Sequence, residues 1–244
     1  MRNGRRIAAV IVAAGKGLRM GGDVPKQYLI VNGKPVLWHT VRAFSRSEAD
    51  DIIVVCPKGD EDYVKDVILA DMSDRVSKII PGGAERFDSC RLGVMAAKAL
   101  QNVPDYILVH DGVRALVSLK VINSVIDALG THDICCPGVI PKDTMRVVSE
   151  EGYAVSTPSR DSLRIIQTPQ GFRTEDVVSA YELFQRDAET DTEFVHTVTD
   201  DAMLVAHYYK DKRIYLTEGS YENIKITTPE DLLLAEQILS KRTE

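Results

Sequence analysis

The chain has 244 residues, 44% of them apolar and 27% charged, and carries a formal net charge of −6 at pH 7. These totals supply a buried core for one large α/β domain or two small ones, and they argue against a general nucleic-acid binder, which carries a basic face. No apolar run approaches the ~20 residues of a membrane span, so no membrane partner is expected.

In chain order, Ile7 to Val12 reads as a buried first strand. Arg2, Arg5 and Arg6 ahead of it imitate a signal peptide, but the apolar stretch is short and Lys16 and Arg19 follow at once. The run Ala13-Ala14-Gly15-Lys16-Gly17-Leu18-Arg19-Met20, with Pro25-Lys26-Gln27 behind it, opens a glycine-bearing loop at that strand's carboxyl end. Glycines admit backbone N–H groups close to phosphate oxygens, and Lys16, Arg19 and Lys26 can neutralise their charge, so the loop suits a polyphosphate. The P-loop reading weakens, since no Gly-Lys-Ser/Thr follows at the required spacing. A dinucleotide fingerprint weakens too, because Gly21 comes one residue late. The plain alternative is a tight turn with solvated basic residues.

Leu37, Val41 and Phe44 fall at helical spacing, and Ile52 to Cys56 is a second short apolar run. The pattern predicts a helix across Asp60 to Ala70 and a strand near Val76 to Ile80 ending in Pro81-Gly82-Gly83. Cys90, Val94 and Ala97 share a helix face, Tyr106 to Val109 is strand-like before His110-Asp111-Gly112, and Val121 to Leu129 is helical. Strands separated by helices of this length indicate crossover units and a largely parallel sheet, in which ligands sit beyond the strands' carboxyl ends. The first loop, the Gly82 to Arg86 turn and Asp111 to Arg114 all land at that edge, which points to a nucleotide site. Taken singly, each reads as a turn or a helix cap.

Cys135 to Ile140, Asp143 to Val148 and Ala154 to Ser156 read as short strands around the turn Glu150-Glu151-Gly152. They suggest a projecting β-arm whose Val139, Ile140, Val147 and Val148 would serve dimerisation; a hairpin folded back on its own sheet is the alternative. Thr228-Pro229-Glu230-Asp231 starts a last helix with Leu232, Ala235 and Leu239 on its apolar face. Before it, Asn223 to Thr227 reads as a strand end that places Lys225 at a sheet edge. No repeat or linker interrupts the chain, so one domain over 1–244 is expected, with the arm at about 138–160. Cys56, Cys90, Cys135 and Cys136 lack Cys-x-x-Cys spacing, and His39, His110, His132, His196 and His207 lack metal-ligand spacing. Reduced, mostly buried thiols in a cytoplasmic protein without a zinc site are expected.

Taken together, AAGKGLRM, PKQYL, GGAERFDS, VHDGVR, PKDTM, QTPQGF, TDDA and EGSYENIKITTPEDL resemble the 2-C-methyl-D-erythritol 4-phosphate cytidylyltransferases over almost the whole chain. The resemblance implies a Rossmann-like nucleotidyltransferase fold, α/β with a mainly parallel sheet of about seven strands and a β-arm that clasps a second subunit. It also implies transfer of CMP from CTP to 2-C-methyl-D-erythritol 4-phosphate, with pyrophosphate released and a divalent ion, usually Mg²⁺, present. Ribitol 5-phosphate cytidylyltransferase is the nearest rival, and a noncatalytic nucleotide-binding regulator a more distant one.

Carried onto this chain, the resemblance makes Arg19 and Lys26 stabilisers of charge on the transferring phosphate, and Arg160 and Lys225 the residues that position the acceptor phosphate. Ala13, Ala14, Gly15, Gly17, Gly83, Ala84, Arg86 and Ser89 match positions around CTP, with Ser89 a candidate for a hydrogen bond to the base. Asp111 and Arg114 match the segment between nucleotide and sugar phosphate, Asp111 holding a ribose hydroxyl or a metal-bound water. Thr144, Thr168 and Thr199 match further acceptor contacts, with Arg160 and Thr144 on or beside the arm and so able to serve a neighbour's site. No protein ligand of the metal is assigned. Ala115 departs from the pattern, standing where a proline usually follows, which leaves the pose of Arg114 less restricted.

Overall fold

The structure is a computed structural model that describes residues 4–15, 24–188 and 197–242. In chain order it runs β1 (Ile7–Val12), a 3₁₀ turn (Lys26–Tyr28), the small hairpin β2 (Ile30–Val31) and β3 (Lys34–Pro35), and α1 (Val36–Ser45). Next come β4 (Asp51–Cys56), α2 (Glu61–Tyr63) running into a π-helical turn (Val64–Ile68), β5 (Lys78–Pro81), α3 (Arg86–Lys98), β6 (Tyr106–Asp111) and α4 (Leu119–Ala128). β7 (Ile134–Val139), β8 (Val147–Val148), β9 (Ala154–Ser156), β10 (Ile165–Ile166) and β11 (Gln170–Arg173) follow. The chain finishes with α5 (Thr174–Asp187), α6 (Asp201–Tyr208), β12 (Ile214–Glu218) and α7 (Pro229–Lys241).

β1 pairs in parallel with β4 and β6, β4 with β5, and β7 with β12. β10 and β11 run antiparallel along β7, and β11 also pairs with β6, which joins the two halves of one sheet. Period-2 alternation divides the sheet's side chains between two cores. Ile7, Ala9, Ile11, Ile52 and Val54 pack under α1 and α4 with Leu37, Val41, Phe44, Ile122 and Val125. Ala8, Val10, Ile53, Val55, Ile107 and Val109 face α3, α5 and α6, meeting Val94, Ala97, Val177, Tyr181 and Val205. A third cluster seats α7 through Ala235 and Leu239 on Val113, Ala115, Leu116 and Ile226. Side chains of this size contribute about 1.5–3 kcal/mol each when fully buried, so the layers lock the sheet in register.

The helix starts obey local chemistry. Ser118 accepts from the Val121 amide at 3.3 Å, and Asp200 accepts from the Met203 amide at 2.8 Å. Thr228 and Asp231 cap each other at the start of α7, as the Thr-Pro-Glu-Asp run predicts.

Four expectations need correction. The helix predicted over Asp60 to Ala70 is one short α segment followed by a π turn. Asn223 to Thr227 forms no strand; the segment is irregular and reaches the body through the Ile226 amide, which donates to Val113 O at 3.0 Å. Val139 belongs to the main sheet and is 8% exposed, because β7 is covered on both sides by β12 and by β10 with β11. Asp143 to Arg146 is not strand, so the off-sheet hairpin is only β8 with β9, and its Val147, Val148 and Val155 are exposed. The four cysteines are buried and unpaired with one another, as expected. Among the described residues no helix is long and apolar enough to cross a membrane.

Candidate active site at the carboxyl edge of the sheet

The first loop leaves β1 through Ala13, whose amide donates to Val55 O at 2.7 Å. Two glycines let neighbouring loops close on it. A Cβ on Gly82 would lie 2.3 Å from the Ala14 Cβ, and one on Gly112 would lie 2.7 Å from the Ala13 Cβ. The turns that leave β1, β5 and β6 thereby meet above the carboxyl edge of the sheet, the β5 turn reaching Ala14 across the end of β4, with Ala13, Ala14, Gly83 and Asp111 in these turns or at the strand ends. Gly15 is exposed at the end of this stretch, and Gly17, Lys16 and Arg19 lie outside the described residues. Lys26 is half-buried and opens the 3₁₀ turn, which is tied to the body by the Tyr28 hydroxyl donating to Asp60 at 2.9 Å.

Ser89 is 3% exposed rather than a surface serine. Its hydroxyl accepts from the Gly83 amide at 3.1 Å and donates to Glu85 O at 3.1 Å, so it latches the glycine turn onto α3. With its proton committed to Glu85, the hydroxyl retains accepting capacity only, a narrower role than a hydrogen bond of either sense to a base.

The adjoining charges form one compact cluster. The buried Asp111 carboxylate is 3.1 Å from Lys225 Nζ, 3.2 Å from Arg114 Nε and 3.5 Å from Arg86 Nε. Burial alone would push the Asp111 carboxyl up, but Arg86, Lys225 and Arg114 hold it well below the usual carboxylate range. Arg86 also donates to Asp201 at 2.9 Å, and that buried carboxylate accepts a further bond from the Tyr181 hydroxyl. Asp201 raises the Arg86 guanidinium well above its ordinary value against the opposing effect of burial. By formal charge the cluster is net positive: three cations stand against Asp111 and Asp201. Arg114 keeps one pose without the proline that Ala115 replaces, because Nη1 donates to Asn223 O at 2.7 Å while Nε faces Asp111.

Thr168 stands on the inner wall. Its hydroxyl accepts from the Asp111 amide at 3.2 Å and shares a 2.9 Å hydrogen bond with His110 Nδ1, whose sense is set by the imidazole tautomer. Burial pushes His110 down to about 3, so its imidazole is neutral.

Three expected acceptor residues stand outside this cluster. Arg160 is exposed, and its Nη1 donates to Lys142 O at 3.0 Å, at the base of the arm. Thr144 is exposed in the same stretch. Thr199 is exposed, its hydroxyl 3.8 Å from Met203 Sδ. A cleft of about 620 Å³ lies beside the arm's base, lined by Ile140, Asp161, Arg164, Glu218, Gly219 and Tyr221 among others.

Sequence reasoning missed Asn223, Gln167 and the role of Asp201. Asn223 is fully buried, and Gln167 exchanges two hydrogen bonds with Ser220, donating to its O at 2.8 Å and accepting from its N at 3.2 Å. A polar residue in an irregular segment leaves no periodic signal, which is why only the neighbouring Lys225 stood out. Asp201 was visible only as part of the TDDA run. For a divalent metal the donor set is thin: the described residues hold no group of three or more His, Cys, Asp or Glu arranged to bind one, and Asp111 is already neutralised by its cations.

Comparison with known proteins agrees over nearly the whole length. The family model described as 2-C-methyl-D-erythritol 4-phosphate cytidylyltransferase matches residues 7–241. A protein of that name from Clostridium botulinum (strain 657 / Type Ba4) is 40% identical, covering 97% of this chain and 98% of its own. Its namesake from Clostridium perfringens (strain SM101 / Type A) is 42% identical, covering 96% and 99%. Among solved structures, 4-diphosphocytidyl-2C-methyl-D-erythritol synthase from Anaerococcus prevotii DSM 20548 superposes with a TM-score of 0.83 at 34% identity over 98% of both chains. The cytidylyltransferase from Thermus thermophilus gives a TM-score of 0.72 at 28% identity, covering 95% of this chain and 98% of that one.

Proposed function

We infer that the chain, which belongs to the 2-C-methyl-D-erythritol 4-phosphate cytidylyltransferase family, is the nucleotidyltransferase that moves CMP from CTP to 2-C-methyl-D-erythritol 4-phosphate. Its products are 4-diphosphocytidyl-2-C-methyl-D-erythritol and pyrophosphate, on the way to isoprenoids. The observation that carries this reading at the level of chemistry is the cationic cluster of Arg86, Arg114 and Lys225 on Asp111, set beside the Ala13-Ala14 edge and the Gly82-Gly83 turn. The relatives' names favour methylerythritol phosphate over ribitol phosphate as the acceptor.

In this reading an oxygen of the acceptor phosphate attacks the α-phosphorus of CTP, and the bond to the β,γ-pyrophosphate breaks. Negative charge spreads over the α-phosphoryl oxygens, so fixed cations matter more than a strong base. Lys26, with Arg19, neutralises that charge. Lys225 and Arg160 hold the acceptor phosphate in line, with Thr144, Thr168 and Thr199 completing its surroundings. Ala13, Ala14, Gly15, Gly17, Gly83, Ala84, Arg86 and Ser89 border the cytidine and triphosphate, where small side chains and backbone groups admit a pyrimidine and reject a purine by size. The thin donor set among the described residues supports Mg²⁺, or another divalent cation, as the companion of the triphosphate rather than a resident of a protein-built site.

We further propose a homodimer in which the β8–β9 arm reaches the neighbouring subunit. The support is its exposed Val147, Val148, Tyr153 and Val155 and the placement of Arg160 and Thr144 outside their own chain's cluster. A cytoplasmic location accords with four unpaired, buried thiols. Pyrophosphate release from CTP with Mg²⁺, compared for methylerythritol phosphate, ribitol phosphate and no acceptor, tests the activity. Release only with ribitol phosphate would transfer the assignment to the rival. For the dimer, mixing Lys26→Ala with Arg160→Ala subunits is expected to restore part of the lost activity; no recovery in proven mixed dimers argues against sites shared between subunits.

A further inference from the structure

The segment 219–228 carries Lys225 to the Asp111 carboxylate, yet it has no regular secondary structure to hold it there. Single bonds hold it at Gly219, Ser220, Tyr221, Glu222 and Ile226, and those nearest Lys225 on the acceptor side meet at Asn223. This residue is fully buried, and its Nδ2 donates to Thr168 O at 2.9 Å, with Gln167 Oε1 3.4 Å away. Its backbone carbonyl accepts from Arg114 Nη1 at 2.7 Å. Two residues on, Lys225 turns to Asp111, and the next amide, from Ile226, donates to Val113 O at 3.0 Å. One side chain and its peptide thus tie together Thr168, Arg114 and Lys225, which arrive on three separate stretches of chain.

We propose that Asn223 is a positioning residue for the acceptor half of the reaction, setting the mutual geometry of Thr168, Arg114 and Lys225 without touching substrate. The proposal rests on the cytidylyltransferase reading above. The amide, rather than mere bulk, is what the site requires. Nδ2 is the only donor on that side chain, and it points at a carbonyl, so an aspartate of the same shape would set a carboxylate oxygen against Thr168 O. The nucleotide half, built on Ala13, Ala14, Gly83 and Ser89, shares none of these bonds. An Asn223 defect is therefore expected to divide the two substrates.

Asn223→Ala and Asn223→Asp should raise KM for methylerythritol phosphate about tenfold or more, by the sensitivity of in-line transfer to misplacement of order 1 Å, while KM for CTP stays within about twofold. A buried residue of purely structural value would instead lower Tm and active fraction and leave both KM values in proportion. Should neither variant stay folded, Gln167→Met removes the other half of the clamp, the paired bonds to Ser220, and is expected to give the same division at smaller size. Equal shifts for both substrates, or no shift in a folded variant, overturn the proposal. Wild-type protein that releases no pyrophosphate with any polyol phosphate would sink the functional reading and this inference with it. An active wild type with indifferent variants would sink the inference alone.

Discussion

The two halves of the site are held by different means. The half assigned to the nucleotide is fixed by close backbone approach: Gly82 against Ala14, Gly112 against Ala13, and a turn latched to α3 through Ser89. The half assigned to the acceptor is fixed by side chains across irregular chain, with Asn223, Gln167 and Arg114 bonding the segment that presents Lys225. Backbone packing tolerates little change in volume, whereas a hydrogen-bonded clamp can be loosened one bond at a time. Substitutions in the first half should act as steps, and those in the second as grades.

The sharpest break is expected at the reacting phosphate, common to both halves. Lys26→Ala should lower kcat by about 10²-fold or more with an unchanged melting temperature, as expected for loss of a fixed charge at the transition state. Near-normal turnover in a folded variant removes the assignment. Next, Lys225→Met strips Asp111 of its nearest cation and should raise the acceptor KM by roughly ten- to a hundredfold while CTP binding holds, read by steady-state kinetics with each substrate varied.

A pair of glycine substitutions then separates site from scaffold. An added Cβ meets a neighbouring side chain at 2.3 Å both at Gly82, on Ala14, and at Gly93, on Val10 in the second core. Gly82→Ala should raise the CTP KM about tenfold, whereas Gly93→Ala should cost about 1–3 kcal/mol of stability with CTP KM unchanged in the folded fraction. Equal effects on CTP would erase the contrast between them.

A smaller effect is expected from pH. His110 is neutral in the fold and is pushed down to about 3, from an ordinary 6.5, by burial. Its depressed value means that the unfolded chain binds a proton the folded chain refuses. The associated stability is complete above pH 6.5 and declines as pH falls toward 3, by up to about 1.4 kcal/mol per unit. Denaturant unfolding of wild type and His110→Gln at about pH 7.5 and about pH 5 should show the shallower loss in the variant. The smallest effect belongs to Ser89→Ala, about 1 kcal/mol with a change of a few-fold in CTP KM, because the Gly83 amide loses its acceptor.

How much of this was legible beforehand follows the same division. The parallel strands stand out as short continuous apolar runs because β1, β4 and β6 are buried on both faces, and the helices stand out through period-3.6 spacing because α1 and α4 are buried on one. The glycine turns and the motif order led to the edge of the sheet. Asn223, Gln167 and Asp201 stayed hidden because buried polar residues in loops and at helix starts obey partner geometry, which no periodicity encodes. Lys225 was singled out but set on a strand that does not exist, since Asn223-Ile224-Lys225-Ile226-Thr227 alternates like one while it is tied down by single bonds. The arm is narrower than the sequence suggests for a related reason: Val139 looks like exposed hairpin until β12, an edge strand, takes its place beside β7, while Ile140 stays exposed.

Along the flank of β7, the antiparallel pairing halts after Ile166 and resumes at Gly171, leaving a short tear in an otherwise continuous weave. Thr168 sits in that tear, its carbonyl released from ladder pairing and so available to Asn223. An engineer seeking heat resistance would be drawn to mend it with two ordinary ladder residues. The repaired protein should melt later and grip a polyol phosphate worse, because the flaw in the fabric is where the half assigned to the acceptor is anchored.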